Sequence, residues 1–304
     1  MARLPRPPAS ALYHTTAFIT AAIWGSTFIS TKVLIGCGLS PEHIFTLRFL
    51  MAYVPLLCIS LARGDRLFVS WRDELLLLCI GLTGGSLYFL AENQALRFST
   101  ATNVSLIVCS CPLVTTFLHR LAVRGARLSG GQTVGALLAF LGMVAVVLNG
   151  HFVLHLSPVG DALALAACLC WAVYSVLMER IGHRYSARFI TRKTFFYGLL
   201  TAIPAYALLR PGDLSWDMLW GPKVLCNLLF LGIVASLLCF WVWTWVIERL
   251  GSVVTTNYVY VNPLATIVFA SALLGERITP WFIVGSCMIL AGMWLSNRHQ
   301  SRRP

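Results

Sequence analysis

The chain alternates between long apolar runs and short polar connections along its whole length. Ten of these runs approach the ~20 residues that an α-helix needs to cross the hydrocarbon core of a bilayer. Little sequence separates them, which leaves no segment for a water-soluble domain. We therefore predict an all-α polytopic membrane protein with ten transmembrane helices, which span approximately residues 15–35, 43–62, 75–95, 101–119, 131–148, 159–178, 190–209, 224–247, 253–273 and 280–296.

The composition agrees with this pattern. Of the 304 residues, 58% are hydrophobic and 11% are charged, whereas about 25% are charged in an average soluble domain. The mean hydropathy is +0.78. Residues 1–14 are basic and proline-rich, and no small-residue cleavage site closes a short apolar core after them. We interpret them as a cytoplasmic tail before an uncleaved first helix, and residues 297–304 as a second basic tail.

The net charge of +12 is explained by where the basic residues lie. Most of the 23 Lys and Arg residues occupy the two tails and alternate connections between helices. By the positive-inside rule, this bias places both termini in the cytoplasm, with the protein in the cell inner (plasma) membrane. The charge therefore indicates topology, and we expect no nucleic-acid partner. The opposite side of the membrane would hold only Arg97, Arg210, Lys223 and Arg277.

The ten cysteines lie in or next to the apolar runs. The close pairs Cys109/Cys111 and Cys168/Cys170 have one intervening residue, whereas metal and redox motifs have two. No P-loop or HExxH motif is present in the sequence. We therefore expect no cofactor, no metal site and no catalytic residue. The expected partners are the lipid bilayer and a small-molecule substrate, and the oligomeric state stays open.

An internal repeat divides the chain into two units, residues 15–148 and 159–296. Each unit contains five predicted helices, and this odd number inserts the second unit in the opposite orientation. Inverted repeats are common in secondary transporters because two equivalent halves can exchange roles and open a central site alternately to each side. Duplication can also simply build a stable bundle. The offset of 147 to 151 residues pairs Trp24 with Trp171, Gly81 with Gly232, Pro112 with Pro263, Gly135 with Gly285, and Gly142-Met143 with Gly292-Met293.

Several motifs carry a family likeness. They are WGSTF at 24–28 with Lys32, ALRFSTATN at 95–103 followed by Pro112, YVNPL at 260–264, and LGERIT at 274–279. In this order and at this spacing, the chain resembles EamA-type transporters of the drug/metabolite transporter superfamily. One departure is RGARLS at 124–129, where the first repeat lacks the Gly-Glu that the family pattern would place there. Glu276 is consequently an acidic residue of the second half alone.

The resemblance implies ten helices, two cytoplasmic termini and a permease for amino acids, related metabolites or drugs. It does not indicate an enzyme. We favour export by alternating access, with proton coupling as a further hypothesis. Two alternatives remain at this point: an intramembrane enzyme acting on lipid-linked substrates, and a membrane assembly partner that transports nothing.

Ionisable side chains at membrane depth are costly, so each is a candidate functional residue. Glu92 lies roughly 25 Å along its helix from Leu75, toward the extracytoplasmic end. Together with the amides of Asn93 and Asn103, it could bind an amino group of the substrate or a coupling proton. The alternative is a solvated helix end or a local ion pair with Arg97.

Aromatic and amide side chains complete the predicted binding site. Trp24 and Trp171 lie near mid-depth, where each indole N–H requires a partner, although packing and interface belts are the commoner roles of aromatic residues. Asn262 precedes a proline that loosens its helix, so we expect it at the site. Pro112 and Pro263 are the predicted hinges. The remaining predicted substrate-binding residues are Tyr88, Tyr174 and Tyr258.

Charges near the two mouths are candidate gates. Lys32 and Glu179 are equivalent positions of the two repeats, so inversion would place them at opposite mouths. Lys32 could instead extend its side chain to the membrane surface. For Arg48 we favour a structural role, with a substrate carboxylate as the alternative.

Overall fold

The computed structural model describes residues 9–99, 104, 107–122, 130–148, 157–209, 212, 214, 216–274 and 280–300, and every regular element within these ranges is helical. The all-α prediction is confirmed for these ranges. The helices are α1 (Ala9–Gly36), α2 (Pro41–Ala62), α3 (Trp71–Phe98), α4 (Cys111–Ala122), α5 (Gly130–Leu148), α6 (Pro158–Gly182), α7 (Ala187–Leu209), the single turn α8 (Trp216–Leu219), α9 (Pro222–Leu250), α10 (Ser252–Asn257), α11 (Val261–Leu274) and α12 (Pro280–Gln300).

Five of these helices, α1, α2, α3, α6 and α9, are long and apolar enough to cross a membrane. Shorter apolar segments lie in α5 and α12. The single helix predicted over 253–273 is instead divided into α10 and α11 by one 3₁₀ turn at Tyr258–Tyr260. The predicted start of the fourth helix, including Asn103, lies outside the described residues.

The division between α10 and α11 has a local cause in Pro263. Proline has no backbone N–H, and its ring crowds the carbonyl four residues earlier, here that of Val259. The backbone responds by tightening, and the N–H of Val261 donates to the carbonyls of Tyr258 and Val259. In the first half, a turn at residues 109–110 precedes Pro112. Both prolines therefore follow an interruption, and their role as hinges stays a prediction.

The third helix of each half contains a wide π-helical segment, at Leu82–Ser86 in α3 and at Phe230–Leu238 in α9. Such segments change hydrogen-bond partners along the helix and occur often at functional sites. In α3, glycine makes room for a neighbour, since a methyl group on Gly84 would lie 2.2 Å from the ring of Tyr174. The segments occupy corresponding places in the repeat and flank the centre of the bundle.

α5 and α12 pack antiparallel through glycines that are equivalent in the two repeats. A methyl group on Gly142 would lie 2.6 Å from the carbonyl oxygen of Gly285, and one on Gly285 would lie 2.5 Å from the carbonyl oxygen of Gly142. Gly135 and Gly292 face each other in the same way. Exchanging the two repeats turns the contact of Gly142 with Gly285 into the contact of Gly292 with Gly135. Such a pair of contacts is expected when two inverted copies are related by a two-fold axis.

We predict that Gly142→Ala destabilises the protein, because the added methyl would meet backbone that cannot move without separating α5 from α12. The matched control is Gly130→Ala, where nothing lies within 4 Å of the added carbon. Thermal unfolding in detergent should show a lower midpoint for the first variant and an unchanged or higher one for the second. Equal midpoints for the two variants would contradict the close contact.

Candidate functional site

A small cavity lies where the two halves meet. It contains about 30 Å³ of free space, which holds only a few ordered waters. Its walls come from seven helices and include six aromatic side chains, one base and one acid. The lining residues are Trp24, Thr27, Phe28, Arg48, Tyr88, Phe89, Glu92, Val108, Cys111, Trp171, Phe240, Val259 and Asn262.

Arg48 of α2 and Glu92 of α3 bring opposite charges to this cavity, and their side chains are 2% and 7% exposed. Arg48 Nε donates to Ser236 Oγ at 2.9 Å, and its guanidinium carbon lies 4.3 Å from the centre of the Phe89 ring. Tyr88 donates its hydroxyl to Glu92 Oε1 at 3.0 Å. Each charge is therefore held by a neighbouring group while it still faces the cavity.

The two repeat-equivalent tryptophans form one aromatic wall. Trp24 and Trp171 have ring centres 5.3 Å apart and planes at 87°. Trp24 Nε1 donates to the carbonyl of Ala235 at 2.9 Å, within the π segment of α9. A glycine follows Trp24 because α1 approaches α11 closely there: a methyl group on Gly25 would lie 2.3 Å from the carbonyl oxygen of Asn262.

Two polar atoms of the lining residues lack a hydrogen-bond partner among the described residues. They are Nε1 of Trp171, a donor, and Oδ1 of Asn262, an acceptor. A buried polar group without a partner costs about 1–3 kcal/mol. A substrate that supplied one acceptor and one donor would recover this cost, so both atoms are candidate substrate contacts.

The structure brings several predicted site residues to the cavity and leaves others outside it. Tyr174 instead packs on Gly84, fully buried. Tyr258 shares a hydrogen bond of 2.7 Å with His14 Nδ1, and Asn93 donates to the carbonyl of Pro41. None of these three residues lines the cavity, because each side chain is directed to another helix, and their role in substrate binding stays a prediction. The predicted residues that do line the cavity are Trp24, Tyr88, Glu92, Trp171 and Asn262.

We did not predict Arg48, Phe89 or Phe240 at the site from the sequence. Phe89 and Phe240 are separated by 151 residues, within the offset of the repeat, so that offset was an available signal for this pair. For Arg48 the signal was its position inside an apolar helix, which we interpreted as structural.

The end of the molecule formed by residues 63–70 and 183–186, here called the basic end, is closed by ionic contacts between the halves. Lys193 Nζ lies 2.6 and 2.7 Å from the two carboxylate oxygens of Glu74. Both side chains are buried, at 5% and 3% exposure. Glu74 also accepts hydrogen bonds from the Tyr197 hydroxyl and the Val69 N–H. These additional hydrogen bonds offset the free-energy cost of removing both charges from water.

Two further ion pairs join the same segments. Arg188 lies 2.8 Å from Asp65, and Arg184 lies 2.8 Å from Asp73. Tyr185 donates to Asp73 at 2.7 Å, and this hydrogen bond raises the pKa of the Tyr185 hydroxyl. The halves are thus connected at the basic end by several charged contacts at once.

The two candidate gate residues differ in their surroundings. Glu179 accepts hydrogen bonds from the N–H and hydroxyl of Ser252 and lies 3.4 Å from His119 Nε2. It therefore joins the ends of α4, α6 and α10. Lys32 is exposed and does not line the cavity, and its role as a gate stays a prediction.

Comparison with known proteins agrees with this architecture. The model of the EamA-like transporter family matches the chain twice, over residues 12–148 and 158–298. The chain belongs to the EamA-like transporter family. The resemblance noted in the sequence is therefore confirmed, and the protein is a multi-pass membrane protein of a transporter family.

Several relatives of this EamA-like chain match nearly its whole length. An "Uncharacterized transporter" of Archaeoglobus fulgidus is 27% identical over 94% of this chain and 98% of its own. A "Probable amino-acid metabolite efflux pump" of Escherichia coli is 23% identical over 92% and 93%. A "Probable terminal-alkyne amino-acid exporter" of Streptantibioticus cattleyicolor is 24% identical over 92% and 91%.

A solved crystal structure shares the fold of the chain. It superimposes with a TM-score of 0.76 at 18% identity and covers 95% of this chain and 99% of the other. At this identity the match concerns the fold alone.

We predict different effects when each cavity tryptophan is replaced by phenylalanine. Trp24→Phe should lower the unfolding midpoint, because the buried carbonyl of Ala235 loses its donor. Trp171→Phe removes a similar volume but an N–H with no hydrogen-bond partner among the described residues, so it should lower the midpoint less and weaken substrate affinity about tenfold. Thermal unfolding and substrate titration of both variants test this contrast. Equal losses of stability would contradict the assignment of Trp171 Nε1 as a donor without a partner in the described part of the chain.

Proposed function

We propose that this protein exports small metabolites across the cell inner membrane by alternating access, as two inverted five-helix repeats over residues 15–148 and 159–296. In this proposal ten helices span the bilayer and the basic end, with both termini, faces the cytoplasm. The observation that carries the proposal is the buried cavity between the halves, where an aromatic wall surrounds one base and one acid. The names of the relatives support export of amino acids or related compounds.

The paired charges define what the cavity would recognise. The guanidinium of Arg48 would bind a carboxylate of the substrate, and Glu92 would bind its ammonium group. Trp171 and Asn262 would supply the neutral hydrogen bonds, and Trp24 and Phe240 would cover the apolar part. Most of these groups are already held by neighbours, which lowers the entropic cost of binding.

The small volume of the cavity supports a change of shape during transport. About 30 Å³ cannot contain a metabolite, so the halves must separate to admit one. At the basic end, separation requires breaking the contacts of Glu74 with Lys193 and of Asp65 with Arg188. The interruptions before Pro112 and Pro263 are the places where α4 and α11 would bend. The glycine contact of α5 with α12 would then serve as the axis.

Glu92 is the proposed coupling group. A carboxyl that is buried when the cavity is closed, and hydrated when it opens, changes its proton affinity between the two states. Its equivalent in the second half is Trp243, which is fully buried and cannot titrate. One proton site would therefore serve the whole transporter.

We predict that purified protein in liposomes moves labelled amino acids from a broad panel, with a rate that depends on pH. Glu92→Gln keeps the hydrogen-bonding shape of the side chain but cannot ionise, so its transport should lose this dependence. Lys223→Gln is the matched control, because Lys223 is charged but exposed and outside the cavity, and it should behave as the wild type.

Two results would count against the proposal. If folded wild-type protein moves no member of the panel, export of such metabolites is excluded for that panel. If Glu92→Gln keeps the pH profile of the wild type, Glu92 is not the coupling group.

A further inference from the structure

A second and much larger cavity lies at the end of the molecule opposite the basic end. Its free volume is about 690 Å³, within the ~300–1,000 Å³ that is typical of small-molecule sites. We call it the outer cavity. Its walls include the start of α2, the last turns of α3 and Leu163 of α6, so both halves contribute.

The outer cavity contains an acid and a base joined by an amide. Glu42, in the first turn of α2, is 2% exposed. Gln94 donates its amide N–H to Glu42, and its amide oxygen accepts from Arg97 Nη1 at 3.4 Å. The N-terminus of α2 favours a carboxylate at Glu42, but this does not explain the guanidinium at the same cavity. The arrangement presents separated positive and negative charges to one cavity that is open to the surface.

The small cavity between the halves, here called the central cavity, also has one acid and one base. In the two cavities each kind of charge comes from the opposite helix. In the central cavity α2 contributes the base, Arg48, and α3 contributes the acid, Glu92. In the outer cavity α2 contributes the acid and α3 the base. At 1.5 Å per residue, Glu42 lies about 9 Å along α2 from Arg48, and Arg97 lies about 7.5 Å along α3 from Glu92. The two charge pairs are therefore stacked along the same two helices.

We propose that the outer cavity is a second binding site for a small zwitterion. The ammonium group binds at Glu42 and Gln94, and the carboxylate binds at Arg97. That an exported substrate passes through this second site rests on the proposed function, whereas binding to the site requires no transport. A zwitterion that leaves the central cavity would find a matching pair of charges less than 10 Å away, in the opposite orientation.

The site can be tested in protein whose central cavity is disabled by Arg48→Gln and Glu92→Gln. The probes are radiolabelled L-phenylalanine, L-leucine and L-threonine, measured by equilibrium binding to the protein in nanodiscs. Phenethylamine and 3-phenylpropionate are the singly charged controls. We expect saturable binding of at least one zwitterion at one site per chain, and binding of the singly charged analogues weaker by about tenfold or more.

Further substitutions assign the binding to the outer cavity. Adding Glu42→Gln or Arg97→Gln should weaken zwitterion binding by about tenfold or more. Lys223→Gln, which removes an exposed charge outside the cavity, is the matched control and should have no effect. Arg97→Gln in the otherwise wild-type chain provides a second test, since an exposed residue can be replaced without disturbing the fold. The number of zwitterions bound per chain should fall from two to one.

Two results would overturn the proposal: no saturable binding of any of the three zwitterions, or binding that Glu42→Gln and Arg97→Gln leave unchanged. Failure of the proposed function is distinguishable from both. Outer-cavity binding without liposome transport would refute export of these compounds and support the second site. Transport without outer-cavity binding would do the reverse.

Discussion

Two opposite charges buried in an apolar helical bundle are the constraint on which the centre of this protein depends. A charge removed from water destabilises the protein unless neighbouring groups replace its hydration. Arg48 meets this requirement through Ser236 and the ring of Phe89, and Glu92 through Tyr88. Because Ser236 belongs to the other half, the requirement of Arg48 also determines how α2 packs on α9.

The backbone of the two halves is repeated more faithfully than their side chains. Both third helices have a π segment, both fourth helices are interrupted before a proline, and the glycines of α5 and α12 contact each other reciprocally. The polar groups break this symmetry. Trp24 donates to a carbonyl while Trp171 has no partner among the described residues. In the proposed function, the symmetrical frame would permit motion between two similar states, and its unsymmetrical side chains would confer chemical selectivity.

Much of the frame was predictable from the sequence, because a bilayer requires long apolar helices and duplication leaves paired residues at a constant offset. The cavity positions of Trp24 and Trp171 followed from their mid-depth along a helix, whereas the depth of Glu92 indicated the extracytoplasmic end, and the structure places it in the same cavity as the two tryptophans. Tyr174 and Tyr258 were also predicted at the site but do not line this cavity, since depth does not determine which face of a helix meets it. That choice depends on packing, such as the space that Gly84 leaves for Tyr174.

The contacts between the halves could not be predicted from the sequence pattern either, because they also depend on packing. In the sequence Lys193 is one of many basic residues assigned to the cytoplasmic side. Its partner Glu74 lies 119 residues earlier in the chain. The role of Arg48 likewise depends on Ser236, 188 residues away. Pairings at such separations arise from the packing of the complete bundle.

The central claim is that the two ends open alternately around the charged cavity. Distances between spin labels would test it directly, with one pair at the exposed positions Arg63 and His183 of the basic end and another at Phe98 and Val159 of the opposite end. In a cysteine-free background, pulsed electron resonance should show two populations in which one distance lengthens as the other shortens. Distances that stay fixed, or that lengthen together, when substrate and pH are varied would contradict the account.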